Sequence, residues 1–380
     1  MANISFANLT QDFSIWRDEI DNHATEKLPD TFFTNTASGH YVTLYGDNLK
    51  YQNGVPLSGT AESLEIKLGG PKAVADIKIT NIDTDFGDYA KMVSAATSTE
   101  RTTALWSATL AGDDTFDFGS NTTAKKVNIS FTGDGYEAPA DTAGGDDVVR
   151  GDIRQGTFTG DFVMIDNDLT AYGGDDNIQL LNSAGASVIG DVGQSYTNSH
   201  LFAGNDYIKL DRSGYVVGDV ANGEGIIEAG NDTIFGGDAR DDLTGDVSYV
   251  GAASKVIFGN DVIHGGEGTD YINGDYGSSA LAEADGGNDK LFGDAGDDFL
   301  YGNGGNDKLD GGTGNDFLNG GEGIDIVRGG AGNDTMNGSA GTSADNVDAF
   351  TAVEEVVARP PVQFVVAAIA VEKVVAGIAE

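Results

Sequence analysis

Cysteine is absent from the 380 residues, which excludes a disulfide framework and any thiolate metal site. Basic residues are scarce: 21 lysines and arginines stand against 61 aspartates and glutamates, for a net charge of −40. Nucleic acid requires a basic footprint, so no nucleic-acid partner is expected. No run of about 18 apolar residues occurs, and no membrane span is expected. The opening stretch, MANISFANLT, has neither a basic segment nor an apolar core, so no cleaved secretory signal is expected there. The sequence has no HExxH zinc motif, no G-x-S-x-G elbow, no P-loop and no Rossmann fingerprint. Gly193-Gln194-Ser195 comes nearest to an elbow and lacks the closing glycine. The chain is therefore read as having no catalytic activity.

What the sequence does have is glycine and aspartate in a fixed rhythm. Gly293 to Asn337 divides into consecutive ninths: GDAGDDFLY, GNGGNDKLD, GGTGNDFLN, GGEGIDIVR and GGAGNDTMN. Glycine holds the first and fourth places. Aspartate holds the sixth, at Asp298, Asp307, Asp316, Asp325 and Asp334. An apolar residue holds the eighth, at Leu300, Leu309, Leu318, Val327 and Met336. Each unit joins a tight turn to a short strand. Glycine lets the turn adopt positive φ and brings backbone carbonyls together. The aspartate leaves that turn with a hard anionic oxygen, and clustered carboxylate and carbonyl oxygens suit Ca2+. Strand side chains alternate faces, so the aspartate and the apolar residue two places on have set sides. A Gly/Asp linker would be acidic too, but it has no reason to keep an apolar residue at every eighth place. The acid excess is concentrated in residues 111–348. So many adjacent carboxylates repel one another unless cations compensate them, and metal affinity then becomes folding free energy.

This nonapeptide, G-G-x-G-x-D-x-U-x, resembles the repeat of the RTX (repeats-in-toxin, haemolysin-type) calcium-binding family. The resemblance implies a parallel β-roll in which two nonapeptides make one turn and calcium lies between successive turns. It also implies type I export from a Gram-negative cell, with folding outside on meeting calcium. Many members of the family are proteases, lipases or polysaccharide-acting enzymes that carry the roll as an appendage.

Degenerate copies extend the pattern. AGDDTFDF places Asp114 and Phe116 in phase, and GGDDVVRGD places Asp147, Val149 and a Gly151-Asp152 corner. A longer period then brings Gly-x-Asp turns at Asp176, Asp206, Asp232, Asp261 and Asp289, with a clean unit at Asp270. The turn at Asp241 has Ala239 where glycine belongs and is read as degenerate. Gly-Asp corners fall at Asp191, Asp219, Asp246, Asp275 and Asp294. After the first four come inserts, read either as extra strands that widen the coil or as a binding face. Ile226, Ile227, Val256, Ile257 and Phe258 favour extra core strands.

The expected fold is all-β: a parallel β-roll or β-helix solenoid preceded by a small β-rich module with an N-terminal helix over 5–28. The helix rests on Phe6, Leu9, Phe13, Trp16 and Ile20 at helical spacing. Residues 1–110 form the module, with Asn53-Gly54 as a hairpin turn. Residues 111–346 form the roll, degenerate over 111–264 and regular over 265–337. Residues 347–380 form a tail, read as an export signal or as a cap. The expected Ca2+ ligands are Asp147, Asp176, Asp206, Asp232, Asp261, Asp270, Asp289, Asp298, Asp307, Asp316, Asp325 and Asp334. The expected function is that of a secreted, calcium-ordered structural or adhesion module meeting surface polysaccharide or surface proteins. The alternative is a polysaccharide-acting enzyme or lectin using Tyr196, His200, Tyr249 and Tyr276 on the inserts.

Overall fold

The computed structural model describes residues 142–338 except 153–154, 183, 252–253 and 280–285, together with strands between 3 and 137 and between 346 and 376. No helix occurs among the described residues. The fold is a parallel β-solenoid, and its coils come in two widths.

A wide coil has four strands, one in each of four sheets, called here B, A, C and D in the order the chain visits them. Asn177–Leu181 lies in sheet B, Ala186–Ile189 in A, Val192–Ser195 in C and His200–Phe202 in D. Tyr207–Leu210 then pairs in parallel with Asn177–Leu181 and begins the next coil. The inserts are therefore strands: they supply sheets C and D and widen the coil. Sheets C and D stop near residue 279. Beyond that point Lys290–Gly296, Phe299–Tyr301, Lys308–Thr313 and Phe317–Asn319 alternate between sheets B and A alone. The spacing between equivalent residues accordingly falls from 30 residues, at Asp176 and Asp206, to 18, at Asp289 and Asp307.

Register aligns the apolar places into ladders. In sheet B, Phe116, Val149, Ile178, Ile208, Ile234, Ile263, Leu291, Leu309 and Val327 are successive partners. In sheet A, Phe158, Val188, Val216, Leu243, Ile272, Leu300, Leu318 and Met336 do the same. Both rows are buried, and they form the core of the roll. One coil cannot bury its apolar residue alone, so stability comes from stacking. Leu318→Ala in the calcium-loaded chain is expected to cost about 2–5 kcal/mol by denaturant titration, because it opens a cavity between two neighbouring rungs. A loss under about 1 kcal/mol would count against a continuous ladder.

Sheets C and D enclose their own core around Phe162, Ile165, Val192, Leu201, Val220, Ile227 and Val247. Strand alternation divides the insert residues. Ile227 and Phe258 are buried and Val256 half-buried, whereas Ile226 and Ile257 face outward, 39% and 48% exposed. The expectation that all five serve the core is corrected for those two.

The strands Thr31–Asn35, Tyr41–Gln52, Val55–Lys67 and Ile77–Asp85 pair antiparallel in sequence order, with Gln52 opposite Val55 across Asn53-Gly54. Ile77–Asp85 then pairs with Thr115–Asp117, so these strands extend sheet B of the roll. The expected helix over 5–28 lies outside the described residues except at its ends. There, Ser5 closes the strand Asn3–Ser5, and Lys27–Leu28 is a strand because it pairs with Thr31 and Phe32. Past Asn337 the pairing continues. Asn346–Asp348 joins sheet B, and Val353–Ala358 and Val374–Ala376 join sheet A. The candidate tail helix over 362–371 lies outside the described residues.

Candidate metal centre

The glycine turns place aspartates in rows along the solenoid. Before each sheet B strand runs the row Asp147, Asp176, Asp206, Asp232, Asp261, Asp289, Asp307 and Asp325. In it the backbone N–H of each aspartate donates to Oδ1 of the next at 2.7–3.0 Å. Before the sheet A strands a second row runs Asp241, Asp270, Asp298, Asp316 and Asp334, joined the same way at 2.7–3.1 Å. All these side chains are buried. Exposed amides form a parallel strip beside the first row: Asn231, Asn260, Asn288 and Asn306 each donate to the asparagine one coil earlier.

Oδ1 is therefore satisfied. In Asp176, Asp206, Asp232, Asp261, Asp270, Asp289, Asp298, Asp307, Asp316 and Asp334, Oδ2 is buried and accepts no hydrogen bond. A buried unpaired carboxylate oxygen is costly, and repeating it in coil after coil calls for a compensating partner. The surroundings indicate which kind. Oδ2 of Asp307 and the carbonyl of Gly320, one coil on, both crowd the open α-face of Gly302, where a Cβ would overlap them. Asp316 and Gly329 do the same at Gly311, and Asp206 and Gly218 at Gly190. These glycines give close approach, whereas Gly312 and Gly314, in the same unit as Gly311, supply left-handed φ of 92° and 142°. Among the described residues no three acidic or imidazole side chains gather into a metal cluster. The donors are a carboxylate and backbone carbonyls, a hard all-oxygen set that fits Ca2+.

Burial pushes the carboxyls up, and neighbouring carboxylates add to the rise. Asp289 is raised to about 9 by burial, then by Asp261 and Asp275. Asp307 is also raised to about 9, Asp298 to about 7 and Asp316 to about 6, each first by burial. An acid with a raised folded-state value costs stability above that value, and the cost disappears below its unfolded value of about 4. The chelated chain is therefore expected to gain β signal in circular dichroism as pH falls from about 9 toward about 4. A flat or falling signal would contradict this. With calcium present the sense reverses, because binding requires the deprotonated form and releases protons.

All twelve expected ligands lie on these two rows and are buried. Asp114 lies outside the described residues. Asp241 joins the second row, but both its oxygens are used, by the N–H groups of Gly214 and Gly237, so the degenerate turn holds the fold without a free oxygen. Two expected corners are corrected. Asp152 ends a sheet B strand, and the equivalent corner in that coil is Asp161. Asp294 is exposed, with φ of 66°, because it occupies a second-glycine place, and it meets His264 at 3.0 Å. Sequence reasoning also missed that the true corners, Asp161, Asp191, Asp219, Asp246 and Asp275, turn inward and are wholly buried. The signal was available: each follows the glycine that closes a sheet A strand. The insert residues Tyr196, His200, Tyr249 and Tyr276 do not form one site. His200 is on sheet D and stacks on Phe202, Tyr249 is exposed on sheet C, and Tyr276 packs against the lobe core.

Parallel coils with rows of inward carboxylates and glycine-lined oxygen cradles define a cation-binding repeat solenoid. The family model for the RTX calcium-binding nonapeptide repeat matches four copies, at residues 228–247, 258–278, 283–318 and 310–343. That stretch of the chain consists of RTX calcium-binding repeats. No curated protein and no solved structure matches the chain. Asp147, Asp176 and Asp206 precede the matched residues yet stand on the same row as Asp232 and Asp261.

Proposed function

We propose that the chain is a calcium-ordered extracellular module, exported by a type I route and acting without catalysis in surface attachment or cell-coat assembly. The observation that carries this is the pair of aspartate rows, in which Oδ2 of Asp176, Asp206, Asp232, Asp261, Asp270, Asp289, Asp298, Asp307, Asp316 and Asp334 is buried without a hydrogen bond, in both coil widths. The twelve aspartates from Asp147 to Asp334 are the proposed ligands, holding roughly six to ten ions at one per pair of turns. Affinity on the order of 10⁻⁴–10⁻³ M suits an extracellular calcium level. In this reading residues 1–110 form a leading module, 111–346 the calcium roll and 347–380 a tail that serves in export or capping. No helix among the described residues is long and apolar enough to cross a membrane. Labelled chain is expected to bind Gram-negative cell surfaces at millimolar calcium and to be released by chelator. Absence of calcium-dependent retention would overturn the attachment role.

A lectin or polysaccharide-acting reading draws on the outer face of sheet D, where Tyr172, Phe202 and His200 stack and His200 bonds Glu228 at 3.0 Å. A glycan array with a uronate depolymerisation assay separates the two. Silence on both removes the second reading.

A further inference from the structure

We infer that the wide coils hold a second class of calcium site, in which a corner aspartate adds its charge to the row aspartate beside it: Asp219 with Asp232, and Asp246 with Asp261. This rests on the calcium reading above and goes beyond the nonapeptide ligands. Asp219 and Asp246 are wholly buried. Each follows the glycine whose open face receives the row carboxylate. Asp232 Oδ2 and the Gly245 carbonyl crowd Gly218, and Asp261 Oδ2 and the Gly274 carbonyl crowd Gly245. Contact also runs the other way. Gly230, two residues before Asp232, donates its N–H to Asp219 at 3.2 Å, and Gly259, two before Asp261, donates to Asp246 at 2.8 Å. The two carboxylates of a pair are thus held together from both directions.

The hydrogen bonds do not satisfy these groups. Oδ2 of Asp232, Asp246 and Asp261 is buried without a hydrogen bond, and both oxygens of Asp219 share the single N–H of Gly230. Asp275 differs: the N–H groups of Gly287 and Gly304 take one oxygen each, so it is left out of the class. The narrow coils lack the pairing altogether. Asn303 follows Gly302 and Gly321 follows Gly320, while the second aspartate of each coil sits before sheet A, in the other row. Adding a carboxylate to an all-oxygen calcium site tightens it.

The test is calcium binding to the full chain by competition with a chromophoric chelator, for wild type, Asp219→Asn, Asp246→Asn and Asp294→Asn. Asparagine keeps an acceptor for the glycine N–H and removes the charge. Wild type is expected to show a tight and a weak class. Each corner variant should weaken one ion of the tight class on the order of tenfold, with full β signal at saturating calcium. Asp294→Asn, a Gly-Asp string that faces solvent, should match wild type. Corner variants with wild-type isotherms would overturn the inference. So would corner variants that stay unordered at saturating calcium, because mass action recovers an affinity defect but not a broken structural clasp. Wild type that binds no calcium would instead sink the parent reading.

Discussion

Gly302→Ala should remove one calcium ion from the roll and destabilise the loaded chain. At most sites where glycine has an ordinary φ, alanine stabilises by about 0.4–1 kcal/mol through the unfolded state. Gly302 is such a site by its backbone, since its φ is not left-handed. The opposite sign is expected because the new methyl would fall where Asp307 Oδ2 and the Gly320 carbonyl meet. Overpacking alone costs about 1–3 kcal/mol, and the lost ion removes its own binding energy from the fold. Calorimetric titration should count one ion fewer and denaturant titration in calcium should show a lower midpoint. Unchanged stoichiometry with unchanged stability would mean that the glycine face is not a cradle.

The second large effect concerns the whole chain. Excess chelator at pH 8 is expected to expand the protein. The chain carries a net charge of −40, and its buried aspartates must then either hold uncompensated charge or, as at Asp289 and Asp307, hold protons that the unfolded chain gives up at pH 8. A compact 380-residue chain has a radius of gyration of about 21 Å and an unfolded one about 70 Å, so small-angle scattering should register roughly a threefold rise. Acid partly substitutes for calcium, because protonation removes the same charge. A chelated sample taken to pH 5 should therefore be more compact than one at pH 8. No change in scattering on chelation would mean that the carboxylates are tolerated without cations.

Much of this was legible in the sequence because period and chemistry coincide. The eighth-place residues Leu300, Leu309, Leu318, Val327 and Met336 are all buried rungs. The longer Gly-x-Asp period also tracked one physical row, from Asp176 through Asp289. What was not legible depended on parity and on neighbours in the next coil. Ile226 and Ile227 look alike in a string, but adjacent strand residues face opposite ways, and only pairing with Leu201 and Val256 shows which one enters the lobe. Gly151-Asp152 and Gly160-Asp161 are the same dipeptide, yet only the second closes a sheet A strand and turns inward. Asp294 repeats that dipeptide in a narrow coil, where no lobe follows and its side chain meets solvent. The corner row was hidden because its meaning depends on Gly174, Gly204, Gly230, Gly259 and Gly287, all at least 11 residues further along the chain.

Anomalous diffraction from crystals grown in calcium is the most direct test that inward carboxylates are cation ligands. Peaks are expected between Asp307 Oδ2 and the Gly320 carbonyl, and at the equivalent places beside Gly311 and Gly190. An ordered roll with no peak in any of these cradles would contradict the account.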